Sequence, residues 1–183
     1  TKIRPLLEVD MGKAVKEALA NLVVRVEETN ASVEVGELPS VEGDSIQMIQ
    51  LLQNLIGNAL KFHRKGEPPR VRVYARSIPG GRSHKDDAYE ICVEDNGIGF
   101  DESYLSKIFS PFQRLHGKDV YEGVGIGLAI CKKIMERHHG GITATSRPGE
   151  GAVFIITLPR RQVTTKYLEE NRRIQDVPPF HPL

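Results

Sequence analysis

At 183 residues the chain has the length of one ordinary domain, enough to bury a core without disulfides or metals. Its 25 Lys and Arg against 24 Asp and Glu give a formal net charge of +1, so overall charge gives no reason to expect a nucleic acid or an anionic membrane as partner. Cys92 and Cys131 have neither a metal-ligand nor a C-x-x-C spacing, and we interpret them as core thiols in a cytoplasmic setting. No apolar run approaches the roughly 20 residues that span a bilayer, and the first ten residues are no signal peptide.

Hydrophobic spacing predicts the elements of the first half. We expect a short strand at 3–9, an amphipathic helix at 11–29 and a strand at 31–36. Asp44 stands three residues before Gln47, as in a capping box, so a long helix should begin there and run to about residue 62.

Alternating patterns predict the strands of the second half. Residues 70–77 and 89–95 should form an antiparallel pair, and ITATS and AVFIITLP should close as a hairpin around PGEG. A short helix is expected at 102–108, and a second one should follow the glycines of 123–127 and stop at Gly140. This order predicts an α/β two-layer sandwich with a mixed, mostly antiparallel sheet and helices on one face.

The segment DNGIGF, residues 95–100, has two interpretations. Asn-Gly after an alternating strand is typical of a hairpin turn. A two-residue turn needs only one glycine, whereas Gly97 and Gly99 together clear side chains from the backbone, as a flat ligand would require. Asp95 at the strand end can accept a hydrogen bond from an exocyclic amine, such as that of adenine.

The segment GVGIG, residues 123–127, stands before a helix. Its backbone N–H groups can approach phosphate oxygens, and the helix N-terminus adds a favourable dipole, although mere flexible connectors share this composition. A dinucleotide fingerprint is excluded, because its third glycine would fall at Leu128 and no parallel βαβ unit frames the motif. Neither glycine-rich segment ends in the Gly-Lys-Ser/Thr of a Walker loop, and the eukaryotic protein kinase motifs are missing.

The segment QNLIGNALKFH, residues 53–63, places three polar side chains on one helix face. Asn54, Asn58 and Lys61 stand at i, i+4 and i+7. Such a face is usually just solvated. Asn carbonyl oxygens nevertheless suit a Mg²⁺ ion that keeps several waters and takes its other ligands from phosphates, and Lys61 adds a positive charge nearby.

In this order the motifs N-x-x-x-N-A-x-K-F, DNGIGF, FSPFQRL and GVGIGLAI resemble the N, G1, F and G2 boxes of sensor histidine kinases. Within that family they are most similar to the phytochrome-like kinase subgroup. The resemblance covers roughly residues 10–159 and implies the Bergerat fold shared by type II topoisomerases, MutL proteins and Hsp90. Residues 10–159 would then be the ATP-binding catalytic domain. Residues 1–9 would be an entry strand after absent dimerisation helices, and 160–183 a C-terminal tail.

The resemblance implies the cofactors ATP and Mg²⁺ and a role for each motif. Asn58 would bind the metal and Asp95 the adenine amino group, while Arg114, in an ATP lid at 110–122, would reach the γ-phosphate. Phe62 would lie against the nucleotide and Phe154 on the pocket floor, although both are as typical of a core. The implied nucleotide-binding residues are Asn54, Asn58, Lys61, Phe62, Asp95, Gly97, Ile98, Gly99, Arg114, Gly123, Val124, Gly125, Ile126, Gly127 and Leu128.

Kinases of this class phosphorylate a histidine followed by an acidic residue and, a few positions on, by Pro. None of the six histidines fits that pattern. The resemblance therefore implies that the acceptor lies on the parent's dimerisation domain, with a response regulator receiver domain as the downstream partner. We expect the parent to be a homodimer, either cytoplasmic or anchored in a membrane, and this chain to be a monomer that binds no nucleic acid.

Two other classes compete with this interpretation. A self-contained ATPase of the same fold normally places a Glu four residues before the metal-binding Asn. That position is Asn54 here, and an amide cannot act as a base. Anti-sigma-factor serine kinases, which act as a lone domain, share this Glu and usually lack the PFQRL box. A degenerate nucleotide-binding module that only mediates contacts is disfavoured by four intact boxes.

Overall fold

The computed structural model describes residues 6–79, 87–111 and 126–161. Five strands form the main sheet in the order β2-β4-β5-β7-β6, and β1 and β3 form a separate antiparallel pair. Within the main sheet β2 and β4 are parallel and every other pairing is antiparallel. The elements are β1 (Leu7–Asp10), α1 (Met11–Asn21), α2 (Val23–Glu28), β2 (Ser32–Val35), β3 (Ser40–Gly43), α3 (Ser45–Lys61), β4 (Arg70–Ile78), β5 (Ala88–Asp95), a 3₁₀ turn (Glu102–Tyr104), α4 (Leu105–Ile108), α5 (Gly127–Arg137), β6 (Gly141–Arg147) and β7 (Gly151–Pro159).

Helix α3 is the centre of the helical layer and contacts both α1 and α5. Its apolar stripe is fully buried, with Leu51, Leu55 and Leu60 all at 0% exposure. The two-layer sandwich, the antiparallel β4–β5 pair and the β6–β7 hairpin expected from the sequence are confirmed. None of the described helices is long and apolar enough to cross a membrane.

The N-terminus of α3 is capped as the sequence predicts, but only half of the capping box forms. Asp44 Oδ1 accepts hydrogen bonds from the N–H groups of Ile46 and Gln47. The Asp44 N–H itself donates to Nε2 of His138, at 3.0 Å, instead of to the Gln47 side chain. The last turn of α5 is thereby joined to the first turn of α3.

The helix expected at 11–29 is divided at Leu22. The Leu22 N–H donates to Leu19 O, three residues back, and Leu22 has the non-helical dihedrals φ −107° and ψ 5°. The β-branched pair Val23 and Val24 follows, which favours helix less than unbranched residues do. Helix α2 buries none of its residues, whereas α1 buries one face.

Strand β3 was not expected from the sequence. It has four residues and only one large apolar side chain, Val41, so it carries almost no local signal. Its partner β1 lies some thirty residues earlier, with Leu7 opposite Gly43. The strand expected at 3–9 starts only at Leu7 within the described residues, and it continues to Asp10.

The end of α5 differs from the expected stop at Gly140. The helix ends at Arg137, and His139 adopts the left-handed conformation, with φ +51°. The N–H groups of His139 and Gly140 donate to the carbonyls of Glu136 and Met135, which is a Schellman motif with His139 in the usual glycine position. Gly140 is needed for space instead, because a Cβ there would collide with Thr157 O and the Met135 side chain.

Candidate nucleotide-binding site

Three polar side chains of α3 lie half-buried on one face, at the positions expected from the spacing. Among the described residues the Asn58 carboxamide makes no hydrogen bond. The buried Nδ2 of Asn54 has no partner of good hydrogen-bond geometry there, and the Asn54 side chain interacts only with the weak acceptor Cys131. The ammonium of Lys61 lies 4.8 Å from the centroid of the Phe62 ring. This face therefore presents amide groups that the described residues satisfy poorly or not at all, together with a cation.

The Asn54 end of this face lies beside the start of α5. A methyl group at Gly127 would lie 3.7 Å from Asn54 Oδ1, so the first turn of α5 is adjacent to the Asn54 carboxamide. No side chain caps the N-terminus of α5 among the described residues, where Ile126 is 38% exposed and Leu128 packs against the core. On the buried side of α5, burial raises the pKa of the Cys131 thiol to about 12, so this cysteine is an inert core residue.

Asp95 ends β5 with a half-buried carboxylate. Burial raises its pKa to about 6, although the backbone N–H groups of Gly97 and Ala152 hydrogen-bond the carboxylate and favour the charged form. The Gly97 N–H donates to Oδ1 at 2.7 Å. At neutral pH the group is an ionised acceptor whose burial costs free energy.

The glycines of this loop are required by the protein's own backbone. A Cβ at Gly97 would collide with Phe62 O, and one at Gly99, which has φ +62°, would collide with Arg147 O. The expected reason, clearance for a flat ligand, is therefore not needed to explain them. Their effect is to bring the loop against the C-terminus of α3 and the β6–β7 turn.

The Asp95–Gly99 loop is not a hairpin turn. Its Asn96 side chain is held by the start of β4 and by the segment before it: Oδ1 accepts from the Arg70 N–H at 2.7 Å, and Nδ2 donates to Pro68 O at 3.3 Å. Ile98 N–H donates to Phe62 O at 2.9 Å, which joins the loop to the end of α3. The Ile98 carbonyl in turn accepts from Gly149 N–H at 2.7 Å, which joins it to the β6–β7 turn.

Sequence analysis missed two residues that shape this loop. Arg64 donates to the Asn96 carbonyl, and buried Ser146 accepts from Phe100 N–H and donates to Gly151 O. Neither belongs to a glycine-rich or amide motif. The Asn of DNGIGF was the one available signal, since Asn side chains often hydrogen-bond nearby backbone.

The two phenylalanines of interest have different surroundings. Phe154 is buried, with ring centroids 6.1 Å from Phe100 and 6.5 Å from Phe109, so it is part of the core. Phe62 is the half-buried C-cap of α3 and contacts the loop through its carbonyl.

The phosphate end of the expected site lies mostly outside the described residues. That applies to Arg114, Gly123, Val124, Gly125 and nearly all of the segment 110–122. Within 6–79, 87–111 and 126–161 there is no group of three or more His, Cys, Asp or Glu side chains that could hold a metal ion.

Comparison with sequence families identifies one match over most of the site. The family described as "Histidine kinase-, DNA gyrase B-, and HSP90-like ATPase" matches residues 43–162. Among curated proteins, Phytochrome-like protein Cph1 of Synechocystis sp. is 43% identical over 87% of this chain, and the alginate biosynthesis sensor protein KinB of Pseudomonas aeruginosa is 37% identical over 67%. This chain spans about a fifth of the length of these relatives, 20% and 19% respectively.

Solved structures give the same fold. The mycobacterial sensor histidine kinase MprB has a TM-score of 0.68 at 27% identity, covering 86% of this chain and 99% of that one. The nucleotide-free catalytic domain of histidine kinase ThkA has a TM-score of 0.69 at 26% identity, covering 86% and 97%. Full-length ShkA in complex with AMPPNP has a TM-score of 0.71 at 25% identity, covering 90% of this chain and 33% of that one.

Proposed function

Because the chain belongs to the family of histidine kinase-, DNA gyrase B- and HSP90-like ATPases, we propose that it is the catalytic module of a two-component sensor histidine kinase. It binds Mg-ATP and transfers the γ-phosphate to a histidine on the parent's dimerisation domain. A response regulator receiver domain is the downstream acceptor, the parent is a cytoplasmic or membrane-anchored homodimer, and residues 10–159 are the catalytic domain. Family membership itself makes this an ATP-binding domain.

The observation that carries the proposal is the convergence of three separate motifs. The Asp95–Gly99 loop is bonded to the C-terminal end of α3, through Ile98 N–H and Phe62 O at 2.9 Å. Asn54, two turns earlier on α3, lies beside Gly127 at the start of α5. Along α3 there therefore follow, from its C-terminal end, the Asp95 acceptor, the amide face and the N-terminus of α5. This is the order that the base, metal and phosphates of a nucleotide would need.

The residues present fit a Mg²⁺ ion. The Asn58 carboxamide has no hydrogen bond to a described residue, and an amide oxygen is a hard ligand of the kind this ion prefers. One protein ligand suffices where waters and phosphates complete the octahedron. When bound, the ion supplies charge compensation on the phosphate oxygens.

The chain's own residues bind and orient the nucleotide. Asp95 accepts a hydrogen bond from the adenine amino group, and its fixed position directs the triphosphate toward α5. Lys61 and the helix N-terminus add positive potential near the phosphates. No carboxylate stands at the water-activating position, because Asn54 occupies it.

Phosphotransfer is tested with γ-labelled ATP and Mg²⁺, with and without the dimerisation domain of the parent. We expect acid-labile label on the histidine of that domain and none on this chain. Label on the chain alone would refute the assignment of the acceptor, and rapid phosphate release would favour a self-contained ATPase.

The metal role is tested by Asn58→Ala, titrated calorimetrically with ATP in the presence and absence of Mg²⁺. The variant should lose the Mg²⁺-dependent part of the affinity while keeping its fold, because a half-buried polar residue contributes little to the core. Gln50→Ala, at an exposed position of the same helix, is the matched control. An unchanged Mg²⁺ effect in Asn58→Ala would contradict the assignment.

A further inference from the structure

We propose that Arg64 is a positioning residue for nucleotide binding, which orients the Asp95 carboxylate through the backbone of the Asp95–Gly99 loop. The inference rests on the proposed function, in which this loop holds the adenine end of the nucleotide.

Arg64 joins two loops that are distant in the sequence. It lies just beyond α3, where its Nε donates to the Asn96 carbonyl at 2.9 Å and its Nη1 to the Gly149 carbonyl at 3.3 Å. Nη2 is paired with Glu67 Oε2 at 2.8 Å. The guanidinium thus bridges the DNGIGF loop and the β6–β7 turn, with Glu67 on its third side.

The bond to Asn96 acts on Asp95 through one rigid unit. The Asn96 carbonyl and the Gly97 N–H belong to the same peptide group, which is planar. Arg64 holds the carbonyl side of this plane, and the N–H side donates to Asp95 Oδ1 at 2.7 Å. Rotation of the plane would break both bonds together, so the guanidinium fixes the donor that orients the carboxylate. The positively charged guanidinium, bonded to the Asn96 carbonyl, also polarises this peptide group and so makes the Gly97 N–H a stronger donor.

The geometry calls for arginine instead of a generic cation. A guanidinium has five donors in a fixed planar fork, so it can bond two carbonyls and a carboxylate at once, whereas a lysine ammonium is a compact charge on a flexible chain. The ion pair with Glu67 is substantially exposed, at 35% and 49% for the two side chains, and contributes little by itself. Its role is to orient the guanidinium toward the carbonyls.

Two roles of Arg64 can be told apart by measurement: a structural tie, in which its hydrogen bonds only stabilise the fold, and a positioning role, in which they orient Asp95. A structural tie changes the fraction of folded molecules, which calorimetry reports as stoichiometry. A positioning role changes the dissociation constant of the folded molecules and the protection of the Gly97 amide.

The test compares ATP and ADP binding by wild type, Arg64→Ala, Arg64→Lys and Asp95→Ala. Arg25→Ala removes an equal charge from an exposed position on α2 and is the matched control. For Arg64→Ala we expect a dissociation constant about threefold to tenfold weaker, by the same factor for ATP and ADP, since the affected contact is at the base. Arg64→Lys should stay at least about twofold weaker than wild type despite its charge, and Arg25→Ala should match wild type.

Amide hydrogen exchange is the second readout, measured without nucleotide. Gly97 should exchange faster in Arg64→Ala and Arg64→Lys, and at the wild-type rate in Arg25→Ala. If Arg64→Ala does not fold, Arg64→Lys decides. Wild-type affinity or wild-type Gly97 exchange in Arg64→Lys would overturn the proposal. Unchanged ATP affinity in Asp95→Ala would instead overturn the placement of the nucleotide site.

Discussion

The two ends of α3 each lie against a polar side chain that is hydrogen-bonded to backbone, but one of these side chains is neutral and the other is charged at pH 7. At the N-terminal end the ring of fully buried His138 donates from Nδ1 to Ile134 O at 2.7 Å and accepts from Asp44 N–H at Nε2, at 3.0 Å. Since a carbonyl only accepts and a backbone N–H only donates, the ring is neutral with its proton on Nδ1. At the C-terminal end the Asp95 carboxylate has its pKa raised to about 6 by burial despite two backbone donors.

We propose that this difference separates a group that stabilises the fold from one that is retained for a ligand. His138 satisfies a helix end at each of its nitrogens without a buried charge, so it adds to stability. Asp95 keeps a charge where burial disfavours it, although Gly97 and Ala152 donate to it, and we propose that its remaining acceptor capacity serves a ligand. Four predictions test this contrast.

The largest effect on stability is expected from His138→Ala. The change leaves the Asp44 N–H buried without its acceptor and removes ring volume from the core, so the free energy of unfolding should fall by about 2–4 kcal/mol. Urea denaturation measures it, with Lys132→Ala, exposed on the same helix, as control. The ATP affinity of the folded fraction should not change. A loss below about 0.5 kcal/mol would mean that the two helix ends are joined by other contacts.

Asp95→Asn should separate stability from binding. Removing a buried charge while keeping the Oδ1 acceptor should raise the free energy of unfolding by about 1–2 kcal/mol. Affinity for ATP should fall about tenfold or more, because one acceptor for the adenine amino group becomes a donor. Denaturation and calorimetry on the same preparation measure both. A variant that loses stability as well would show that the charge supports the fold.

The pH dependence of stability should reveal both groups, with opposite signs. Between pH 3.8 and about 6 the folded state binds more protons at Asp95 than the unfolded state does, so this group lowers stability as pH rises through the window. Burial lowers the pKa of His138 below its ordinary 6.5, and Arg137 and His139 act in the same direction. The hydrogen bond to the Ile134 carbonyl and the charge of Asp44 oppose them. The unfolded state therefore binds more protons there below pH 6.5, and stability falls as pH falls.

The contributions of Asp95 and His138 to the pH dependence of stability partly cancel in wild type. In Asp95→Asn the Asp95 contribution is removed. From pH 7 to pH 5 that variant should lose about 1 kcal/mol more stability than wild type, since only the His138 contribution remains. Denaturation at both pH values checks it. Equal losses in the two proteins would contradict the opposed assignment.

The smallest effect is expected next to His138, from His139→Gly. His139 is exposed and has φ +51°, a conformation that glycine adopts without strain. The change should raise the free energy of unfolding by about 0.5–1 kcal/mol, in contrast to the loss at His138. Thermal unfolding measures the shift. Gly140→Ala provides the opposite control, because its Cβ would collide with Thr157 O.

Local patterns predicted the elements that depend on local contacts. Asp44 caps α3 because its side chain reaches N–H groups two and three residues away, and the strands β4, β5 and β7 carry their own alternation. Strand β3 could not be predicted, since it exists through pairing with β1, and the break at Leu22 interrupts an otherwise continuous helical spacing. The family resemblance is confirmed, and with it the fold and the ATP-binding class.

The candidate site was predicted by residue type but not by its connections. Asn54, Asn58 and Lys61 share a face as expected, because helical periodicity fixes that from spacing alone. Arg64 was missed because its role depends on carbonyls that come from distant parts of the chain. Gly97 and Gly99 leave no room for a Cβ, a constraint that the sequence analysis did not foresee. Their neighbours are backbone atoms that no sequence pattern shows to be near.

The position of β5 in the sheet also affects how the chain folds during synthesis. One edge of β5 pairs with β4, the strand directly before it in the sequence. The other edge pairs with β7, and there the partner of Asp95 is Ala152, nearly sixty residues later in the chain. At translation rates of about 5–20 residues per second this open edge persists for roughly 3–12 seconds on the ribosome. An unpaired edge is a template for pairing with other chains, and β5 carries Glu90 and Glu94, charges that make such pairing less favourable. The nascent chain thus carries its own protection against aggregation until β7 is made.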